Sequence, residues 1–187
     1  MKEHYKEAFD HMFAHEGGYV NDSTDRGGET IFGIARRFHP TWSGWAIIDQ
    51  AKRAGRELTQ DELHTLKIHA ADFYKRVFWN PLSLDFIESK AVCIELFDTA
   101  VNQGAGTAAK YLQESLNVLN RNGLNYPDLR VDGKIGPKTL EVANNKVKEA
   151  ALLKTLNGLQ FMRYYNICVN DRSQEKFFNG WLNRVNF

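Results

Sequence analysis

The first thirteen residues carry apolar side chains at the spacing of an amphipathic helix. The apolar positions i, i+3, i+4, i+7 and i+8 are Tyr5, Ala8, Phe9, Met12 and Phe13. They would line one face of a helix with 3.6 residues per turn. The glycines at 17–18 predict the end of this helix. Residues 19–33 are rich in glycine and small polar residues, which predicts a loop or a small hairpin with residues 19–20 and 30–32 as its arms.

Helical patterns dominate the rest of the chain. Short helices are predicted after Gly33 and over residues 45–54, and a capping box at residues 59–62 opens a helix that runs to about Trp79. Residues 91–101 are apolar nearly all round, which is typical of a central buried helix. Further helices are predicted over residues 107–121, from Pro137 onward, and over residues 147–168 and 174–185. The fold class is therefore mainly α, with a small loop or hairpin after the first helix.

The chain shows no repeat and no low-complexity linker. Its 187 residues suit a single compact unit over residues 1–187. Within it we expect an N-terminal lobe of residues 1–90 and a C-terminal helical lobe of residues 91–187.

Composition and charge exclude several functional classes. The net charge is +1, so no strong field draws the chain to nucleic acid. No apolar run approaches the roughly 18 residues that span a bilayer, and the first residues lack the apolar stretch of a signal peptide. We expect synthesis in the cytoplasm and no membrane insertion. Cys93 and Cys168 lie in apolar stretches and are expected to be reduced thiols, and no Cys/His spacing predicts a metal or cofactor.

Glu16 has the most informative position in the sequence. It follows Met12 by four residues and Phe13 by three, so it extends the apolar face of the first helix. A carboxyl group in such a place is partly desolvated, which raises its pKa and keeps it protonated. A protonated carboxyl group is what protonation of a glycosidic oxygen requires. The alternative is a frayed helix end whose Glu16 side chain faces water.

Two residues after Glu16 are candidates to assist such an acid. Glycosidases generally use a second carboxylate or a positioned water opposite the acid. Asp25 follows Glu16 after eight intervening residues, and Thr30 follows Asp25 after four. Glu95 is the rival candidate for the second carboxylate.

Residues 16–34 read EGGYVNDSTDRGGETIFGI. This segment closely resembles the N-terminal motif of glycoside hydrolase family 108, a family of bacterial and phage N-acetylmuramidases also labelled secretion activators. The resemblance implies a lysozyme-like helical fold, with Glu16 as general acid. It also implies that Asp25 positions water or stabilises the transition state and that Thr30 holds the attacking water. Tyr19 and Asp22 of the same motif are predicted to contact substrate.

The resemblance covers most of the chain. Residues 78–82, 98–104 and 176–185 are similar to later family segments, and residues 131–140 resemble the signature of its predicted peptidoglycan-binding half. The implied partner is the peptidoglycan glycan strand, which would be cleaved in the periplasm or cell wall. We expect a monomer that needs a holin or an export system to reach the wall.

A polar stripe crosses the predicted central helix. Glu95, Asp98 and Asn102 lie at i, i+3 and i+7. Two interpretations of this stripe stay open. Either it lines a groove that holds the sugars, where Asn102 and Gln103 bind substrate, or its side chains form internal hydrogen bonds. Trp79 is a further substrate candidate because aromatic rings stack on sugars, although most tryptophans belong to the core.

Two other functions compete with hydrolysis by a muramidase. A lytic transglycosylase uses one Glu without a water-positioning carboxylate, and a non-catalytic protein would bind the wall or assist secretion. The presence of Asp25 and Thr30 after Glu16 favours hydrolysis.

Overall fold

The computed structural model describes residues 3–13, 19–21 and 28–186. Within these residues the chain forms eight α-helices and a small antiparallel sheet. The helices are α1 (Glu3–Phe13), α2 (Trp45–Arg53), α3 (Gln60–Tyr74), α4 (Lys90–Gln103), α5 (Ala105–Leu119), α6 (Pro137–Asn145), α7 (Glu149–Asn170) and α8 (Glu175–Leu182). The strands are β1 (Val20–Asn21), β2 (Glu29–Ile31) and β3 (Ile34–Ala35). The predicted mainly α class, with a hairpin after the first helix, is confirmed.

The start of α3 follows the predicted capping box. The Thr59 hydroxyl accepts a hydrogen bond from the Glu62 N–H at 3.3 Å, and the Glu62 carboxylate accepts one from the Thr59 N–H at 2.9 Å. These bonds satisfy backbone donors that have no acceptor within the first turn. A π-helical turn, Lys75–Trp79, continues α3 to the predicted end of the helix.

The sheet contains one strand more than the sequence predicts. Strand β1 pairs with β2, so that Val20 lies opposite Thr30, and β2 pairs with β3. The short helix expected after Gly33 is wrong, because Phe32 and Gly33 both have positive φ angles, 48° and 71°. Two such residues form a tight hairpin turn that directs the chain back along β2. The Tyr74 hydroxyl donates a hydrogen bond to the Phe32 carbonyl oxygen at 2.9 Å and holds this turn.

The chain divides into two compact units. The sheet unit is residues 9–77, and the helical unit is residues 1–8 together with residues 78–187. The lobe boundary predicted after residue 90 stays a prediction.

The core of the sheet unit is aromatic. The rings of Phe9 and Phe13 lie 4.5 Å apart, and Phe13 lies 4.7 Å from Tyr74. Trp42 and Trp45 pack edge to face at 5.0 Å and are 5% and 4% exposed. Large apolar rings of this kind supply most of the burial available to a small unit.

The core of the helical unit is built around α4, which packs against α5 and α7. Trp79 lies between Tyr5 and Phe97, with ring centroids at 5.0 and 5.5 Å. The prediction of a central buried helix is confirmed. Cys93 and Cys168 are both buried, and they form no disulfide with each other.

Among the helices within residues 3–13, 19–21 and 28–186, none is long and apolar enough to cross a membrane.

Candidate active site

Three of the predicted site residues, Glu16, Asp22 and Asp25, lie outside the described residues. The elements on either side of them are described. Helix α1 ends at Phe13, and strands β1 and β2 pair with Asn21 opposite Glu29. The roles predicted for Glu16, Asp22 and Asp25 therefore stay predictions.

Thr30 lies at the middle of β2, opposite Val20 on one side and Ala35 on the other. Its half-buried hydroxyl donates a hydrogen bond to the Gly28 carbonyl oxygen at 3.2 Å. A hydroxyl that donates a hydrogen bond in this way still has lone pairs with which it can accept a hydrogen bond from water. The predicted role of Thr30 as a water ligand is compatible with this contact.

The neighbouring Glu29 is the centre of an ionic network that sequence reasoning missed. Its side chain is only 10% exposed. The carboxylate accepts a hydrogen bond from the Tyr19 hydroxyl at 2.7 Å, and it forms ion pairs with Lys52 at 2.6 Å and with Arg36 at 2.9 Å. A nearly buried carboxylate needs such partners to offset the loss of hydration.

The network connects the sheet to α2. Arg36 also pairs with Asp49 at 2.7 Å and lies over the Trp45 ring at 4.6 Å from its centroid. The Lys52 ammonium lies 5.6 Å from the Tyr19 ring centroid. Hydrogen bonding to Glu29 is the main reason that the pKa of Lys52 is raised. These contacts hold the two arms of the hairpin together. The Tyr19 hydroxyl is already hydrogen-bonded to Glu29.

In the helical unit, the polar stripe of α4 forms internal bonds. The Asp98 carboxylate accepts hydrogen bonds from Gln160 at 2.8 Å and from Arg184 at 2.7 Å. The exposed Asn102 amide donates to the Asp98 carbonyl oxygen at 2.8 Å and to its carboxylate at 3.2 Å. Asp98 therefore joins α4 to α7 and to the C-terminal segment.

Glu95, on the same stripe, has fewer polar partners than Asp98. Its residue is 6% exposed, and its Oε1 atom forms no hydrogen bond with any described residue. Burial, followed by the nearby Asp98 charge, raises the pKa of Glu95 to about 7. The side chains of Asn157 and Thr99 lie close enough to offset part of this rise. Glu95 is thus a buried acid that keeps its proton up to near-neutral pH.

Gln103 and Trp79 occupy different environments. Both amide atoms of Gln103 are buried without a hydrogen bond of good geometry to the described residues, although the side chain lies beside the Tyr164 hydroxyl. Trp79 is fully buried, and its indole N–H donates to Asp85 at 3.1 Å. A ring without exposed surface offers no face to a sugar, which argues against the predicted contact of Trp79 with substrate.

Among the described residues, no group of three His, Cys, Asp or Glu side chains is placed to hold a metal ion.

The central buried helix and the short hairpin after the first helix define a mainly α, lysozyme-like fold class. Comparison with known families identifies the group within that class. The sequence profile of glycosyl hydrolase 108 matches residues 9–104, and a profile described as a predicted peptidoglycan domain matches residues 107–186. The chain belongs to the glycosyl hydrolase 108 family, and the segment that follows is similar to a predicted peptidoglycan domain.

A solved structure supports the same architecture. The chain is similar to Brucella abortus SagA, with 26% sequence identity and a TM-score of 0.63. The similarity covers 99% of this chain and 91% of SagA. A comparison with curated protein sequences finds no match.

Proposed function

We propose that the protein is an N-acetylmuramidase that hydrolyses the β-1,4 bond between N-acetylmuramic acid and N-acetylglucosamine in peptidoglycan. The observation that carries this proposal is the family match over residues 9–104, which includes the complete motif from Glu16 to Thr30. The peptidoglycan domain that follows supports the choice of substrate.

In the proposed mechanism, Glu16 donates its proton to the glycosidic oxygen as the bond to the sugar carbon breaks. Asp25 faces the developing positive charge and accepts a proton from the attacking water. Thr30 orients that water by accepting a hydrogen bond from it, while the Thr30 hydroxyl donates its own hydrogen bond to the Gly28 carbonyl oxygen. Protonation of the leaving oxygen and deprotonation of the water together balance the hydrolysis.

The surrounding residues have supporting roles in this proposal. Tyr19 and Asp22 contact the sugar, and because the Tyr19 hydroxyl is bonded to Glu29, Tyr19 would do so through its ring. Glu29 is a positioning residue that holds the hairpin arms. Asp25 is assigned as the second carboxylate because it belongs to the motif. Glu95 is assigned a structural role, since its neighbours Asn157 and Thr99 are themselves buried.

The proposal is tested by clearing of a peptidoglycan suspension. The substitution Glu16→Gln removes the proton that the acid donates, so the rate of clearing should fall by roughly 100-fold or more. Glu57→Gln is the matched control, because Glu57 is an exposed carboxylate of the same unit. Clearing by Glu16→Gln at the wild-type rate would remove Glu16 from the mechanism.

Product analysis by mass spectrometry separates the alternatives. Hydrolysis gives reducing ends, whereas 1,6-anhydro ends would identify a lytic transglycosylase and overturn the muramidase assignment. Binding of the wild-type protein to peptidoglycan without any cleavage would instead indicate a wall-binding or secretion-accessory protein.

A further inference from the structure

The last residue of α4 carries an amide group whose polar atoms have no partner in the described part of the helical unit. Gln103 is half-buried as a residue. Its amide oxygen and its amide nitrogen are both buried, and neither forms a hydrogen bond with a described residue. Buried polar groups in folded proteins nearly always have a partner, because a buried group without one is costly. The side chain of Gln103 therefore points to a ligand that both donates and accepts a hydrogen bond.

Helix α7 carries further unpartnered groups on the face that packs against α4. The Tyr164 hydroxyl lies beside Gln103, and it is buried without a hydrogen bond of good geometry. The amide oxygen of Gln160, four residues earlier on the same face, is also buried without a partner. Tyr164 and Gln160 are 3% and 0% exposed. A bond between the Tyr164 hydroxyl and one amide atom of Gln103 would still leave the other amide atom unpaired.

The end of α4 has open space beside it. Gly104 follows Gln103 with a φ angle of 92°, and a β-carbon added to Gly104 would meet no described atom within 4 Å. A β-carbon added to Gly106 would also meet none, and Asn102 on the other side of Gln103 is exposed. A small group of a ligand can therefore approach Gln103 along the backbone of residues 104–106.

An aromatic surface adjoins Tyr164. The ring of Trp181 on α8 stacks on the Tyr164 ring, with centroids 5.2 Å apart and an angle of 23° between the planes. Trp181 is half-buried, and Phe177, one turn earlier on α8, is 47% exposed and lies 6.0 Å from Trp181. Exposed aromatic rings offer a surface on which the C–H face of a sugar or a methyl group can pack.

The charges near this site favour an uncharged ligand. The ionisable groups that act on Tyr164 are Asp98, Arg184 and Glu95. Asp98 and Arg184 neutralise each other in an ion pair at 2.7 Å. Burial raises the pKa of Tyr164, so its hydroxyl stays protonated. The free groups at the end of α4 are thus a neutral amide and a neutral hydroxyl beside aromatic rings.

We propose that the end of α4 binds the acetamido group of an amino sugar. The Gln103 amide oxygen accepts a hydrogen bond from the acetamido N–H, and the Gln103 amide nitrogen donates one to the acetamido oxygen. The Tyr164 hydroxyl donates a hydrogen bond to an oxygen of the same sugar, and the Trp181 ring packs against its apolar face. The identity of the sugar polymer rests on the proposed function, but the site does not require that Glu16 cleaves the glycan.

Titration calorimetry of the full chain tests this proposal with two neutral probes. The chain carries Glu16→Gln so that the probes stay intact. Chitotetraose has an acetamido group at C2 of each sugar, whereas cellotetraose has the same β-1,4 backbone with a hydroxyl group at C2. Chitotetraose should bind more tightly than cellotetraose. Gln103→Leu should raise the Kd for chitotetraose roughly tenfold, Tyr164→Phe should raise it roughly threefold, and neither should change the Kd for cellotetraose. Tyr165→Phe is the matched control, because Tyr165 is the next residue on α7 and is 48% exposed.

The outcomes separate a ligand site from a purely internal contact between Gln103 and Tyr164. An internal contact predicts that Gln103→Leu lowers the melting temperature while the ratio of the two Kd values stays that of the parent chain, and this result would overturn the proposal. Equal affinity for both probes, or no measurable binding of chitotetraose, would overturn it as well. Far-UV circular dichroism establishes that each variant is folded, and Tyr164→Phe removes only a hydroxyl, so it provides a test that does not depend on the packing of Gln103→Leu.

The same measurements distinguish this inference from the proposed function. Lysis by the wild-type chain together with an unchanged ratio of Kd values in both variants would overturn the acetamido site and leave the muramidase intact. Selective binding of chitotetraose that Gln103→Leu abolishes, without lysis by the wild-type chain, would support the site and remove the hydrolase.

Discussion

Replacement of the buried acid in Glu95→Gln should stabilise the protein at neutral and alkaline pH and have little effect in acid. Glu95 is 6% exposed and lies near Asp98, and these two factors raise its pKa from an ordinary 4.5 to about 7. Glutamine has nearly the same shape but cannot ionise. The variant therefore removes the cost of a buried negative charge without opening a cavity.

The direction and the size of this change in stability follow from the difference in proton binding between the folded and the unfolded chain. Below pH 4.5, Glu95 is protonated in the folded and unfolded chain, so it contributes no penalty. As the pH rises from 4.5 to about 7, the unfolded chain loses this proton first, and the folded state loses stability over that window. The full effect is as much as about 3 kcal/mol, since each tenfold change in proton affinity is worth about 1.4 kcal/mol.

Urea unfolding followed by circular dichroism at pH 4, 6 and 8 measures this effect. The advantage of Glu95→Gln should be near zero at pH 4 and largest at pH 8. Glu114→Gln is the control for loss of an exposed carboxylate in the same unit. A stability difference that is the same at all three pH values would refute the reasoning. Loss of lysis by a folded Glu95→Gln variant would show instead that Glu95 is the second carboxylate.

Two further predictions concern the hairpin. Thr30→Val keeps the side-chain volume and removes a hydroxyl whose described bond is to Gly28, so lysis should fall at least tenfold while the melting temperature changes by only a few degrees. Thr30→Ser keeps the hydroxyl and should retain lysis. An unchanged rate of lysis by Thr30→Val would exclude Thr30 as the residue that holds the water. Glu29→Gln removes the charge that pairs with Arg36 and Lys52, so the free energy of unfolding should fall by about 2 kcal/mol, and an unchanged urea midpoint would contradict this.

Local patterns were sufficient for most of the helices. The start of α3 depends on two residues three positions apart, Thr59 and Glu62, and both capping bonds form. The buried helix α4 was evident from its apolar run. The third strand was not predicted, because it depends on positive φ angles at Phe32 and Gly33. Glycine permits such an angle, but phenylalanine gives no local indication of it.

The ionic network at Glu29 illustrates what local patterns leave out. Side chains alternate along a strand, so Glu29 and the buried Ile31 share one face while Thr30 lies on the other. This alternation could have indicated that Glu29 needs a partner. It could not have identified Arg36 and Lys52, since Lys52 belongs to a helix that the sequence does not place beside the strand.

Glu95 and Asp98 on α4 are a second case in which the sequence pattern did not identify the partners of a side chain, and this case concerns candidate catalytic residues. Helical periodicity correctly placed Glu95 and Asp98 on one stripe, but it could not predict which of the two carboxylates would have a cationic partner. Asp98 receives the Arg184 guanidinium at 2.7 Å, and no described group supplies a cation to Glu95. Two like charges one turn apart are unfavourable, so the acid without a cation is the one that keeps its proton. A neutral Glu95 is a poor choice for the carboxylate that faces a developing positive charge, and this supports the proposal that Asp25 has that role.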